Sequence, residues 1–202
     1  MGQDIQGWIE ARKSGYDWWF GAAVIGLLAD RNYWAFAALF GVNGALDDLP
    51  PLAPARGLPA DISDQAKADH EADLARAPRE FFGETWVTWA EIAAVDWKAP
   101  VGNLILMTRM PTEGERPWYT YWYTPSTFEH PLRNPLPPGF VGRPDDLQPG
   151  QEWEAGDKVY RVVAGTREDL LGADWLTLFR VMEALAVRYG ADDVRMTVWF
   201  GN

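Results

Sequence analysis

Few side chains in this sequence have the chemistry of a catalyst or a metal ligand. The 202 residues include no cysteine and two histidines, His70 and His130. Thiol nucleophiles, thiolate metal sites and zinc sites built on several histidines are therefore excluded. His70 lies in a polar, acidic segment, where we expect a lone surface histidine. The sequence has no Gly-x-Ser-x-Gly, Gly-x-x-x-x-Gly-Lys or Gly-x-Gly-x-x-Gly motif, which argues against the commonest hydrolase and nucleotide-binding folds.

Carboxylates are the remaining candidates for acid–base chemistry. A carboxylate pair works as acid and base only when a pocket holds the two groups apart. Glu10 and Glu91 are the best placed, with Asp4 and Asp61 as further candidates. Glu91 lies three residues after Thr88, which is the spacing of a helix capping box and favours a structural role.

Adjacent acids could instead hold a hard cation, because such ions prefer oxygen ligands. The adjacent pairs are Asp47–Asp48, Asp145–Asp146 and Asp192–Asp193. Neighbouring acids in loops more often form turns and helix caps. We therefore predict no metal, no cofactor and no catalytic residue.

Aromatic residues give the clearest sign of a binding surface. The segment Arg116–Pro125 reads RPWYTYWYTP, and the chain holds 12 tryptophans. In a strand, alternation puts Trp118 and Trp122 on one face. It puts Tyr119, Tyr121 and Tyr123 on the other. One face should pack in the core, so only the other is free to bind a ligand or a partner; structural cover of both faces is the alternative.

Two arginines could assist such a surface. Arg56 precedes Gly57 and Pro59, in a loop ordered enough to present a guanidinium to a carboxylate or phosphate. Arg31 is the second residue of the segment DRNYWAFAALFG, which begins at Asp30. The alternative for Arg56 is an internal salt bridge, because the chain carries 29 acidic residues.

Hydrophobic periodicity predicts an α+β fold. Alternation over Asp4–Arg12 predicts a strand, and three- and four-residue spacing from Trp175 to Tyr189 predicts a long amphipathic helix. Asp30 or Asn32 can cap one further helix and Ser63 another, and a final strand should bury one face through Val194, Met196, Val198 and Phe200. We expect an antiparallel or mixed sheet packed against the C-terminal helix.

The chain is predicted to be a single domain, 1–202, with a probable insertion or variable region at 98–165. That region would hold the aromatic β-hairpin and a Pro-rich loop, which has seven prolines between Pro125 and Gly150. Loops of that length inside a compact domain are often functional.

Charge and hydropathy limit the partners. The formal net charge is −11, which argues against binding along extended nucleic acid, because that relies on Lys and Arg. No apolar run is long enough to span a membrane, and the N-terminus shows no signal peptide. A cytoplasmic location is expected, or the host cytoplasm if a phage encodes the protein.

Several separated segments resemble a family of small proteins found in bacteriophage and actinobacterial genomes, where they look like prophage remnants. They are MGQDIQGWIE, RNYWAFAALFGVN, RGLPADIS, TWVTWAEI and VRMTVWFGN. The resemblance covers Met1–Trp97 and the C-terminal helix and strand, but not Lys98–Gly165. It carries over no activity and no catalytic residue. Relatives often have His at the position of Gln6 and Asp at that of Gly201, which argues against a shared histidine-dependent reaction here.

The leading functional prediction is therefore a non-catalytic, prophage-type accessory protein. It would bind a small nucleotide-like molecule or a host protein through the aromatic hairpin, and antagonism of host defence is one form of this. The first alternative is a metal- or carboxylate-dependent hydrolase or transferase. The second is a homo-oligomeric interaction module that uses the hairpin as its interface.

Overall fold

A computed structural model describes residues 2–42, 49–109, 120–123, 136–142 and 146–202, with the backbone alone at 109 and 120–123. The chain divides into two compact units: residues 1–96 with 170–202, and 97–169. The residue range of the second unit includes the segment 98–165, which the sequence marks as a probable insertion or variable region. In chain order the elements are β1 (Asp4–Ala11), β2 (Phe20–Val24), α1 (Tyr33–Phe40), α2 (Asp64–Arg76), β3 (Phe81–Thr88), α3 (Trp89–Ala93), β4 (Pro100–Arg109), β5 (Thr120–Tyr123), β6 (Glu152–Ala155), β7 (Lys158–Thr166), α4 (Gly172–Tyr189) and β8 (Val194–Gly201).

The fold is α+β, as predicted. In the first unit, β2, β1, β8 and β3 form a four-stranded sheet in that order, and every neighbouring pair is antiparallel. The first and last strands of the chain are neighbours in this sheet, because β8 pairs with β1 along its whole length. This central place explains one difference from the sequence pattern: all eight residues of β8 are buried, whereas alternation predicts one buried face.

One face of this sheet carries the apolar core, on which α4 packs. The core is built largely from rings: Phe36 of α1 contacts Phe200 and Trp175 edge-on, with ring centroids 5.1 and 6.0 Å apart. Asn32 links the two helices, since its amide donates hydrogen bonds to the carbonyls of Leu170 and Leu171. Rings in edge contact add to the stabilisation that their burial provides.

Local capping explains where the helices begin. The Asn32 side chain accepts hydrogen bonds from the first turn of α1, and the Ser63 hydroxyl accepts one from Ala66 in α2. Thr88 and Glu91 form the predicted capping box of α3. These contacts satisfy backbone N–H groups that have no partner within the helix.

Gly7 allows β1 to pass very close to β8. Its φ is +139°, and a Cβ atom there would lie 2.1 Å from the carbonyl oxygen of Thr197. Any larger residue would have to push the central strand pair apart.

The second unit has its own antiparallel sheet, in the order β5, β4, β7, β6. Among the residues described there, one buried cluster contains Ile105, Met107, Leu147, Trp153, Tyr160 and Val162. The rings of Trp153 and Tyr160 stack with centroids 5.1 Å apart and an interplanar angle of 10°. The turn of the predicted hairpin and most of the Pro-rich loop lie outside the described residues.

Candidate binding surfaces

The carboxylate of Glu10 lies in a buried polar network on the second face of the β1–β8 sheet. It accepts hydrogen bonds from the Arg195 guanidinium at 2.7 Å, the Thr197 hydroxyl at 2.5 Å and the Ser63 backbone N–H at 2.6 Å. Glu10 is fully buried and Arg195 is 3% exposed. A buried ion pair is tolerated when hydrogen bonds satisfy both charged groups. Removal of one partner destabilises the fold, because the other charge stays buried without compensation.

Asp61 extends this network toward the surface. Arg195 donates to the Asp61 carboxylate at 2.7 Å and to its backbone carbonyl at 2.9 Å, and the Trp19 indole donates to the same carboxylate. Burial raises the pKa of Asp61, but the hydrogen bonds from Arg195 and Trp19 outweigh it and leave the pKa below its ordinary value. Asp61 is therefore held ionised, as an acceptor.

Two guanidinium groups lie over the Trp19 ring. That of Arg195 is 3.8 Å from the ring centroid and that of Arg12 is 4.8 Å away. Arg12 is itself held by Asp193 at 2.7 Å. Such cation–π contacts strengthen when they are desolvated, and Trp19 is buried, so these groups serve to fix Trp19 in the structure.

The other candidate acids also hold arginines. Asp4 accepts from Arg31 at 2.5 Å, and this hydrogen bond raises the pKa of Arg31. The Glu91 carboxylate accepts hydrogen bonds from both terminal nitrogens of the Arg56 guanidinium, at 2.8 and 3.1 Å. The structure therefore pairs all four carboxylates named as acid–base candidates, which gives the hydrolase alternative no support.

The two arginines named as ligand-binding candidates are accordingly tied within the first unit. Arg56 forms the internal ion pair that was its alternative role, and its guanidinium also lies 5.2 Å from the Trp86 ring centroid. Arg31 pairs with Asp4 at an exposed position. Exposed ion pairs contribute little stability. An anionic ligand would have to displace the Asp4 or Glu91 carboxylate to bind either arginine.

Helix α2 lies on the same face as the Glu10 network and is held mainly by polar contacts. Two aspartates one turn apart accept indole N–H groups: Asp69 from Trp8 at 2.8 Å and Asp73 from Trp199 at 2.9 Å. This explains how a helix with a thin apolar face lies against a sheet.

His70 differs from the expected surface histidine. It is 7% exposed, its ring contacts Trp199 edge-on, and its Nε2 lies 3.3 Å from the Glu84 carboxylate. Its neighbours along α2 are acidic, but its ring packs against Trp199 and Glu84 of the sheet. Sequence spacing along α2 could not show this, because both contacts come from the sheet.

The aromatic hairpin is described only through the backbone of β5, which pairs with β4. Cα register places Tyr121 opposite Met107 and Tyr123 opposite Ile105, both of them buried core residues. Trp122 is opposite Leu106, which is half-buried. The register thus distinguishes the two faces that alternation left equal: the tyrosine positions are in line with core positions of β4. Trp118 and Tyr119 lie outside the described residues.

A second aromatic surface is present in the first unit and was not predicted. Tyr16, Trp18 and Phe20 occur at every second position as the chain enters β2, and Tyr189 follows from the end of α4. Successive ring centroids are 5.9, 6.1 and 5.6 Å apart. We call these four residues the ring cluster. The sequence signal for this cluster is the aromatic residue at every second position, 16, 18 and 20. It is easy to miss because Ser14–Asp17, SGYD, has the composition of a simple turn.

The ring cluster is open to water. Trp18 is 59% exposed and Tyr16 is 46% exposed. Of the tryptophans whose side chains the structure describes, Trp18 alone is in the exposed class. Monomeric proteins seldom expose contiguous large apolar side chains without a binding role.

Cations lie at both ends of the ring cluster. The Lys13 ammonium is 5.2 Å from the Tyr16 ring centroid, and the Arg188 guanidinium is 5.5 Å from that of Tyr189. Both residues are exposed. The cluster is therefore a set of rings with a positive charge at each end, on a chain whose net charge is −11.

Within the described ranges, no group of three or more histidine, aspartate or glutamate side chains is arranged to hold a metal ion. No helix in that part of the chain has the length and apolar character needed to cross a membrane.

Comparison of the chain with protein-family models, with curated proteins and with solved structures found no match. The resemblance to prophage-type proteins therefore stays a prediction from the sequence.

Proposed function

We propose that this chain is a non-catalytic binding protein that acts through exposed aromatic side chains. The observation that carries the proposal is Trp18, which is 59% exposed at the centre of the ring cluster. A tryptophan ring offers a large contact area with little conformational entropy to lose, so its burial by a partner is strongly favourable. Leaving it in water has no benefit for folding.

The arrangement of the acids supports binding over catalysis. Glu10, Asp61 and Glu91 each accept hydrogen bonds from an arginine and from at least one further donor. A general acid or base needs a carboxyl group that can reach a substrate and exchange a proton with it. Glu10 is fully buried and cannot reach a substrate, and Asp61 and Glu91, although partly exposed, are each held by an arginine as acceptors.

The ligand proposed from the sequence is a small nucleotide-like molecule or a host protein, in keeping with a prophage-type accessory role. Stacking of one base on an aromatic ring contributes about 1–3 kcal/mol. Several rings within reach of one ligand would therefore give useful affinity. The hairpin residues Trp118 and Trp122 remain part of the proposal as a second aromatic surface, in the other unit.

Calorimetric titration with a panel of nucleotides, nucleosides and aromatic metabolites tests the proposal, together with light scattering at two protein concentrations. Trp18→Ala and Trp122→Ala should each remove binding at their own surface. Leu27→Ala is the matched control, because Leu27 is an exposed apolar residue, at 83%, outside the ring cluster.

The outcomes separate the candidates. Heat of binding that Trp18→Ala or Trp122→Ala removes, and Leu27→Ala leaves, supports a small-molecule ligand. A concentration-dependent oligomer that Trp18→Ala dissociates would show a homo-oligomeric interface instead. A strict monomer that binds no panel member, and in which both tryptophan variants behave as the wild type, would overturn the proposal for small ligands.

A further inference from the structure

The two cations of the ring cluster combine contact with its rings and a charge that no neighbouring carboxylate neutralises; half of the basic side chains that the structure describes are instead paired with an acid. Among the described residues, Lys13 and Arg188 have no carboxylate within ion-pair distance. Elsewhere in the described chain, basic side chains commonly pair with acids, as do Arg12, Arg31, Arg56, Arg76, Lys98, Arg161 and Arg195. Acids outnumber bases by 29 to 18, so positive charge without an acidic partner beside exposed rings favours an anion from outside.

The local charge agrees with this. Between Lys13 and Trp19 the chain contains one acid, Asp17. Lys13 balances Asp17 within this loop, and Arg188 in the last turn of α4 adds a further positive charge at the other end of the ring cluster. Positive groups near the surface act on a ligand over about 8 Å at physiological ionic strength. A small anion held within that distance of either cation would be attracted to it.

We propose that the ring cluster binds a planar organic anion of the nucleoside monophosphate class. The base would pack against the exposed Trp18 ring, and Lys13 or Arg188 would hold the phosphate. This rests on the proposed function and names its ligand. The shared requirement is a flat ring system joined to an anionic group, which matches exposed rings flanked by cations.

Larger and uncharged ligands match the cluster less well. An extended nucleic acid would bring many phosphates to a chain of net charge −11 and would meet only two cations here. A second copy of the chain would bring the same net negative charge. A neutral aromatic molecule would use the rings and leave both cations without a role.

The substitutions have separable effects. Trp18→Ala removes the stacking surface and should weaken binding at least tenfold. Lys13→Met and Arg188→Met each keep an apolar stem but lose the charge, and the one that contacts the phosphate should weaken binding about tenfold. Arg180→Met is the matched control, because Arg180 is an exposed arginine on the same helix as Arg188 but outside the ring cluster.

The experiment is isothermal titration calorimetry of the full chain with adenosine 5′-monophosphate, adenosine and inorganic phosphate, at low and high salt. Thermal unfolding of each variant checks that it is folded. We expect the nucleotide to bind more tightly than either fragment, high salt to weaken it, and Trp18→Ala to abolish it, with Arg180→Met unchanged.

Three results would overturn the inference. Equal affinity for adenosine and its monophosphate, with no effect of Lys13→Met or Arg188→Met, would mean that the cluster binds aromatic rings without regard to charge; the proposed function would stand. Nucleotide binding that Trp18→Ala leaves intact would place the site elsewhere. No binding of any probe that depends on Trp18 would overturn both the inference and the role of this surface in the proposed function.

Discussion

At the scale of single residues, the buried Arg195 joins three parts of the first unit. It holds Glu10 in the core, Asp61 at the loop before α2, and the face of Trp19. Glu10 and Arg195 are opposite each other in the β1–β8 register, so the strand pairing itself brings the charges together. The pair fixes the loop before α2 onto the sheet.

Arg195→Met should lower the free energy of unfolding by about 3–5 kcal/mol, because the Glu10 carboxylate would be left buried without its counter-charge. Arg31→Met removes an exposed pair with Asp4 and should have a much smaller effect, because solvent screens exposed pairs. Chemical denaturation of both variants makes the comparison. Equal losses would mean that the Glu10 network is hydrated and not buried.

Glu91 links stability to pH. Burial raises the pKa of Glu91, but hydrogen bonds from Arg56 and from the Thr88 backbone and hydroxyl outweigh it, so the pKa lies below its ordinary value. A depressed carboxyl pKa adds stability that is present above the unfolded pKa, about 4.3. That stability is lost as the pH falls through the folded pKa.

Glu91→Gln should therefore destabilise the protein at pH 7 and have a smaller effect near pH 3. Denaturation midpoints of the wild type and the variant at the two pH values test this. The same difference at both values would show that the carboxylate charge contributes nothing at this position.

At the scale of elements, local signals were predicted from the sequence and long-range contacts were not. The Ser63 cap and the Thr88–Glu91 box depend on three or four neighbouring residues, so their spacing alone predicts them. At the start of α1 the sequence allows Asp30 or Asn32, and the structure shows that Asn32 is the cap. The hydrogen bonds that hold α2 on the sheet come from Trp8 and Trp199, which are far from α2 in the sequence. His70 was misassigned to the surface for the same reason.

The candidate site divides in the same way. The sequence singled out the aromatic strand, and β5 does pair with β4, but only the register shows which positions align with the core. The ring cluster needed Tyr189 beside Phe20, a contact between the two ends of the chain. No local pattern predicts that contact.

The two aspartates of α2 test how that helix is held; Asp73 also pairs with the exposed Arg76, a contact that contributes little. Asp73→Ala leaves the indole N–H of buried Trp199 without its acceptor and should cost about 1–3 kcal/mol. Asp69→Ala exposes the indole of half-buried Trp8 to water, so its cost should be smaller. Urea denaturation of the two variants ranks them, and the reverse order would contradict this account of α2.

At the scale of the whole molecule, the chain has two units with separate sheets and separate cores. Tyr160 is central to the core of the second unit, where it stacks on Trp153. The ring cluster, the Glu10 network and α2 all belong to the first unit. Each unit can therefore be perturbed through its own core.

Tyr160→Ala should speed amide hydrogen exchange in β4, β6 and β7, because it removes a large ring from that core. Amides of β1 and β8 should keep their protection. Mass-spectrometric hydrogen exchange distinguishes the two sheets. Loss of protection spread evenly over both sheets would contradict separate cores.

The measurement that tests the central claim most directly is an indole-region ¹H–¹⁵N spectrum of the labelled protein during titration with adenosine 5′-monophosphate. The account predicts a saturable shift of the Trp18 indole resonance, while that of Trp175, buried and bonded to the Asp30 carbonyl, stays in place. A Trp18 resonance that does not move at saturating nucleotide would contradict the claim that the ring cluster is a binding site for planar anions.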